Sequence, residues 1–300
     1  MGGQEPVATS VAVGLLRAAR PHQWVKNLLV VAAPAAAGVL TRADVLADVA
    51  LAFVVFTAAS AGTYLLNDVR DRHVDAEHPV KRDRPVASGL VAVPTAVTVA
   101  VVCFVLALGI PVLVGVPELA GVLATYIALT TAYSLGLKHV AVLELAIVAS
   151  GFVFRTVAGA VAVSVPVSNW FLIVVSAGAL HVVATKRFAE MRRTLDGETR
   201  RPVLHEYTSD VLAEIRFVTV AVAVTAYLLW AFERTGEAAG IPWYQLSAVP
   251  FTLAMFRYSA AVHEGAGEAP EDVILADRHL FAYALAWAVL FAVGVYGGGA

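Results

Sequence analysis

Long apolar windows separated by short charged clusters run the length of the chain. They fall near 25–40, 45–66, 91–114, 117–136, 140–164, 169–185, 211–232, 242–259 and 280–297. Each is close to the ~20 residues that a helix needs to cross a bilayer. Within them apolar residues run continuously and do not alternate with polar ones at every second position, as lipid-facing barrel strands would. The pattern predicts an all-α polytopic membrane protein of nine transmembrane helices, one integral domain over 1–300. Two long charged loops, about 67–90 and 186–210, interrupt the apolar pattern. The first ten residues lack the basic segment and cleavage site of a secretory signal, so the first span is expected to be retained.

Composition agrees with the pattern. Of 300 residues, 59% are hydrophobic and 15% charged, whereas soluble domains carry about 25% charged residues. A balance of 21 Lys+Arg against 23 Asp+Glu excludes a polybasic nucleic-acid binder. The lone cysteine, Cys103, lies inside an apolar run and can form neither an internal disulfide nor a thiolate metal cluster. His22, His73, His78, His139 and His181 show no metal-ligand spacing.

The placement of cations orients the chain. With a cytoplasmic N-terminus, eighteen of the Lys and Arg residues fall on one side, Arg42 and Arg234 on the other, and Arg155 within a span. This bias places both long loops in the cytoplasm of a cell (inner) membrane protein. A transporter would need ionisable groups along a path open to both sides, and the outer loops are nearly empty of them.

Candidate chemistry begins where the second span ends. Asp68, Asp71 and Asp75 are spaced i, i+3, i+7 beside Asn67, so a helix continuing past the membrane carries all three carboxylates on one stripe. Hard oxygen donors of this kind suit magnesium together with substrate phosphate oxygens. The bland alternative is a solvated helix end paired with Arg70 and Arg72. Next comes a segment bracketed by Pro79 and Pro85, in which Lys81, Arg82 and Arg84 can turn toward the stripe. Cations facing a magnesium site suit a diphosphate, although the same residues could anchor to anionic lipid headgroups. Arg155 falls well inside a span, where an arginine is costly. It either meets a phosphate or hydrogen-bonds carbonyls at a broken helix. Lys26, with Trp24, either anchors at the interface or reaches a phosphate.

Asn67-Asp68-x-x-Asp71-x-x-x-Asp75 followed by Lys81-Arg82-x-Arg84-Pro85 resembles the first signature of the UbiA superfamily of intramembrane prenyltransferases. The resemblance covers essentially the whole chain. It implies nine helices around a central cavity open to lipid, magnesium bound by two Asp-rich motifs, and transfer between a diphosphate donor and an aromatic or lipid acceptor. The second motif departs from the family: where Asp-x-x-x-Asp is usual, this chain has Lys186-Arg187-x-x-Glu190. With Arg20–Asn27, Tyr133–Lys138, Gly151–Arg155 and Pro270–Asp272, that substitution resembles one branch of the family. This branch transfers 5-phosphoribose from 5-phosphoribosyl 1-diphosphate to decaprenyl phosphate for cell-wall arabinan. The resemblance implies Asp68, Asp71 and Asp75 on magnesium, Lys186, Arg187 and Tyr207 on the 5-phosphate and ribose hydroxyls, and Glu190 either orienting Lys186 or touching a ribose hydroxyl. The alternative is an aromatic prenyltransferase of quinone or haem biosynthesis. Self-association is left open by the sequence.

Overall fold

In the computed structural model the described residues are 10–195, 202–234, 240–263 and 270–297. They are helical, with no strand among them. In chain order they form α1 (Val11–Ala18), a tight 3₁₀ helix (Pro21–Val31) running into α2 (Ala32–Ala36), α3 (Ala43–Glu77), α4 (Val93–Leu113) and α5 (Pro117–Leu135). Then follow α6 (Leu143–Ala162), α7 (Asn169–Leu195), α8 (Ser209–Glu233), α9 (Trp243–His263), α10 (Pro270–Ala276) and α11 (Arg278–Tyr296). Seven of the described helices, α3 to α8 and α11, are long and apolar enough to cross a membrane. The remaining two expected spans fall on the 3₁₀ helix with α2 and on α9, whose Gln245, Thr252, Arg257 and Ser259 make it more polar.

The expected loops are shorter than the charge pattern suggested, because charged residues continue two helices beyond the membrane. At 1.5 Å per residue α3 is about 50 Å long against roughly 30 Å of hydrocarbon, so Asn67–Glu77 is a helical extension. Likewise α7 carries Lys186, Arg187 and Glu190 on helix, whereas 196–201 lie outside the described residues. Of the acidic segment before the last span, 264–269 also lie outside them, and α10 follows.

The chain divides into two compact units. The first takes residues up to Ala32, Arg42–Gly136 and Phe154–Ser164; the second takes Ala33–Thr41, Leu137–Val153 and the chain from Val165. Lipid offers apolar side chains as good an environment as a neighbouring helix does, so association rests on close packing of small residues. In the first unit Ala52, Ala59, Ala96, Ala100 and Ala107 are fully buried. A Cβ at Gly62 would meet the Phe104 ring and the Ala100 carbonyl, and one at Gly159 would fall on the Val30 carbonyl. Both helices approach closely because these positions lack one. Between α4 and α5, Gly115 takes φ +86° and Pro117 opens α5, which closes the turn in the fewest residues.

In the second unit α7 packs along α8, and α9 along α11. Leu145, Val183, Met191, Leu204, Tyr207 and Leu212 form one core. A second core joins Ala189, Tyr258, Ala261, Val273 and Leu280. Farther along, Tyr227 stacks on Phe251 with ring centroids 4.2 Å apart. The Tyr227 hydroxyl accepts from Trp287 Nε1 at 2.9 Å. Thr208 caps α8 by accepting from the Val211 amide, and Asp277 caps α11 by accepting from Leu280 at 2.7 Å.

Candidate active site

The carboxylate stripe of α3 is built as its spacing predicts, but its cations come from elsewhere. Asp68 and Asp75 are buried, at 2% and 3% exposure. Arg70 and Arg72, the neighbours that could have paired with them, turn to other groups. Arg70 donates to the carbonyls of Ser134 and Leu135, and Arg72 to that of Val69. The partners are Arg84, whose Nη1 lies 2.7 Å from Asp75 and 3.3 Å from Asp68, and Arg20, 2.5 Å from Asp68.

Each of these guanidinium groups is delivered by a short, fixed turn. Arg20 joins α1 to the 3₁₀ helix with φ 55° and ψ 64°, a left-handed conformation uncommon outside glycine. Pro21 follows at the first helical position. Trp24 Nε1 donates to the Ala19 carbonyl at 3.0 Å, and the Arg20 guanidinium lies over the Tyr64 ring at 4.9 Å. Arg84 follows a single turn, Lys81–Asp83, with extended backbone set by Pro85. The segment is pinned behind it where the Val91 amide donates to the Pro85 carbonyl at 2.8 Å. Val86 and Val91 are buried in a core with Ala18 and Leu65. Within the same stretch Lys81 is half-buried and Arg82 exposed.

Asn67 accepts from the Ser134 hydroxyl at 3.1 Å, and Asp71 is half-buried. Two of the three acids, Asp68 and Asp75, thus receive the guanidinium groups of Arg20 and Arg84. Among the described residues no three acid, histidine or cysteine groups converge as a metal site. In kind, the donors fit a hard divalent cation, and two of them already converge on one positive centre, Arg84.

Deeper in the first unit Arg155, 6% exposed, donates from Nε to Asn27 Oδ1 at 2.8 Å. Its guanidinium lies over Phe56 at 4.9 Å and over Tyr126 at 5.5 Å. Asn27 in turn donates to Thr57 and Ser60. One carbonyl that receives Arg155 thus belongs to the side chain of Asn27. Lys26, one position before Asn27, donates to Gln23 Oε1.

The second unit holds the other charged cluster. Arg187, 3% exposed, forks onto Glu144 with both N···O distances 2.8 Å and reaches Glu190 at 2.9 and 3.1 Å. Glu144 is fully buried. Lys186 lies 4.0 Å from Glu190 and remains 35% exposed. Tyr207 accepts the Val142 amide at 2.6 Å, and burial pushes its phenol above the ordinary tyrosine range. Acids are therefore present around the altered second motif: Glu190 on the same helix, and Glu144 from α6.

The residues that sequence reasoning missed are Arg20 and Glu144 as charge partners, and Asn27 as the seat of Arg155. Asn27 and Glu144 carried a signal, since a polar residue at the edge of a span requires a buried partner. Neither partner was identifiable from spacing, the ion pairs lying 48 and 43 positions apart in sequence.

The family model described as UbiA prenyltransferase family matches residues 28–284. Decaprenyl-phosphate phosphoribosyltransferase of Mycobacterium tuberculosis is 45% identical over 290 residues, which is 94% of this chain and 94% of that protein. The enzyme of the same name from Corynebacterium glutamicum is 42% identical over 294 residues, 96% of this chain and 88% of that one. Among solved structures, a UbiA homolog from Archaeoglobus fulgidus bound to DMAPP and Mg2+ superimposes with TM-score 0.68, at 15% identity, over 93% of this chain and 97% of that one. A digeranylgeranylglyceryl phosphate synthase gives TM-score 0.67 at 16% identity, over 95% and 98%. At such identities the structures speak for the fold. Helical architecture, the carboxylate stripe of α3 and a family match across most of the length agree that this multi-pass membrane protein belongs to the UbiA prenyltransferase family.

Proposed function

We propose that the protein transfers 5-phosphoribose from 5-phosphoribosyl 1-diphosphate to decaprenyl phosphate, releasing diphosphate. The observation that carries this reading is 42–45% identity, over nearly the whole chain, to enzymes named for a phosphoribosyl transfer to that lipid phosphate. The cation bias supports an active site on the cytoplasmic side of a cell (inner) membrane, where a soluble, charged donor is at hand.

In this reading Asp68, Asp71 and Asp75 would hold magnesium, which would supply positive charge to the diphosphate. The chain's own residues supply the rest. Arg84 and Arg20 lie on the acids that would take the metal, so the incoming phosphate oxygens offer both guanidinium groups a second anion at the same place. Lys81 and Arg82 extend that positive rim, and Asn67, oriented by Ser134, adds a polar contact. A lipid phosphate oxygen attacks C1 of the ribose. The bond from C1 to the diphosphate oxygen breaks, and diphosphate departs with the electron pair. The attacking oxygen is anionic at neutral pH, so no residue need remove a proton.

In the second unit Lys186 is the cation suited to a phosphate monoester. Arg187, Glu190 and Tyr207 hold the helix that carries it and act as positioning residues. Arg155 holds Asn27, which donates to Thr57 and Ser60 of α3 and so seats the 3₁₀ helix on that helix, and Lys26 on the same 3₁₀ helix is a further cation for a phosphate.

The test is conversion, by membranes containing the protein, of labelled 5-phosphoribosyl 1-diphosphate and decaprenyl phosphate into a charged glycolipid in the presence of magnesium. The expected result is product from the native chain and at least a hundredfold less, on the order of 10²–10³-fold, from Asp68→Ala. A correctly folded protein that makes no such glycolipid, or that prenylates an aromatic acceptor instead, would overturn the proposal.

A further inference from the structure

Within the first unit α3 and α5 enclose a groove of about 360 Å³. No carboxylate of the stripe lines it. At 3.6 residues per turn, Leu66 and Arg70 point nearly opposite to Asp68, Val69 lies about a quarter-turn round, and Arg72, one turn beyond Asp68, reaches the groove from the edge of the stripe. Leu66, Val69 and Leu135 give it an apolar wall, Thr131 and Ser134 a polar one, and Arg70 and Arg72 stand over it.

The two arginines differ from those that form ion pairs. Arg20, Arg84, Arg187 and Arg257 each meet a carboxylate. Arg70 spends Nε and Nη2 on the last carbonyls of α5, at 3.2 and 3.1 Å, and Arg72 spends Nη1 on the Val69 carbonyl at 3.1 Å. Neither is paired with an acid among the described residues. A guanidinium has five N–H donors, so each keeps several for an oxyanion, and two positive charges stand together over one groove. Both residues follow directly on the apolar stretch 45–66, at the level of lipid headgroups.

We propose that this groove seats the headgroup of an anionic phospholipid, with the phosphodiester on Arg72 and Arg70 and the acyl chains along Leu66, Val69 and Leu135. The acyl chains are what separate this ligand from free phosphate. An apolar wall continuous with exposed Leu135 gives inorganic phosphate nothing to gain and gives a lipid a place for its tails. The site takes none of the three carboxylates in its lining and does not rest on the reaction proposed above.

The experiment is native mass spectrometry of the full chain released from detergent, after exchange with phosphatidylglycerol or phosphatidylcholine of matched acyl chains. Two surface cations favour the anionic lipid by about thirtyfold, and that preference is the expected result. Arg72→Gln should lose most of it and Arg72→Lys should keep it. Thr131→Phe, which fills the groove without changing charge, should also lose it and serves as the test if Arg72→Gln does not fold. Millimolar inorganic phosphate should leave the adduct in place. Equal retention of the two lipids, a preference that survives Arg72→Gln or Thr131→Phe, or displacement by inorganic phosphate would each overturn the proposal, the last by showing a site for the free anion.

Discussion

The two charged clusters use the same groups in opposite ways. On α3, buried Asp68 and Asp75 meet guanidinium groups that are 23% and 28% exposed and arrive on turns from separate segments. Around α7, Arg187 is 3% exposed, forks onto a fully buried Glu144 and is shared with Glu190. The first cluster has counter-ions that can reach water. The second is closed, with its charges balanced at short range. A site that must exchange ligands needs the first arrangement. A helix that must stay fixed while presenting Lys186 is served by the second.

The largest effect should therefore appear where no ligand is expected to bind. Arg187→Ala leaves Glu144 buried without its fork, and breaking a buried pair from one side costs about 3–5 kcal/mol. We expect such a loss of stability, read from thermal unfolding in detergent. Replacing Glu144, Arg187 and Glu190 together by apolar residues of similar size should recover most of it, since the penalty comes from the stranded charge. A single variant that unfolds like the native protein would show that the second cluster is open as well.

Asp68→Ala is the counterpart. Arg20 and Arg84 can turn to solvent, so its stability should change by about 1 kcal/mol or less. Product formation should fall by roughly 10²–10³-fold, the scale of losing one group that stabilises developing charge. Activity assays beside unfolding curves check this. If Asp68→Ala unfolded as readily as Arg187→Ala, the stripe would be structural and the contrast would vanish.

How much of this was legible from residue order follows from distance along the chain. Asp68, Asp71 and Asp75 are local, and helical periodicity alone places them on one face. The nine apolar windows are local too, and all of them fall on helices. Arg84 was within reach because two prolines confine its segment. Arg20 and Glu144 were not assigned as partners, because an ion pair 48 or 43 positions apart depends on how helices pack, and spacing carries no trace of that. The same limit explains Arg187. Its place in the altered motif suggested a substrate contact, and only the fold shows that Glu144 and Glu190 already occupy it. Helix ends were misjudged for another reason: charged residues mark the limit of the membrane, and α3 and α7 continue beyond it.

A smaller effect tests an ion pair at the margin of the second unit. Asp277 caps α11 and meets Arg257 at 2.6 Å, which holds its carboxyl down to about 2. Its folded pKa lies below the unfolded value of about 3.9, so its contribution is complete above that value and is lost as pH falls toward 2. Asp277→Asn keeps a good cap and removes the charge. We expect it to cost about 1 kcal/mol at pH 7 and to flatten the loss of stability between pH 5 and 2.5. An unchanged acid slope would mean that Arg257 does not hold the carboxylate.

The smallest expected difference lies in the backbone beneath the two clusters. Each rests on a non-glycine residue in the left-handed region, Arg20 at φ 55° and Val142 at φ 65°, a conformation that costs an L-residue about 1–2 kcal/mol. Val142 is 59% exposed and contributes its amide, which Tyr207 accepts, so a side chain is not needed there. Val142→Gly should stabilise by roughly 0.5–1 kcal/mol, the relief exceeding the entropy that glycine adds to the unfolded chain. At Arg20 the side chain itself reaches Asp68, so Arg20→Gly and Arg20→Ala should lose activity alike while the glycine variant is the more stable by a similar margin. Unfolding of the three variants in detergent decides the matter. If alanine proved as stable as glycine at Arg20, that turn would not be left-handed in the membrane, and the route that brings its guanidinium to Asp68 would have to be redrawn.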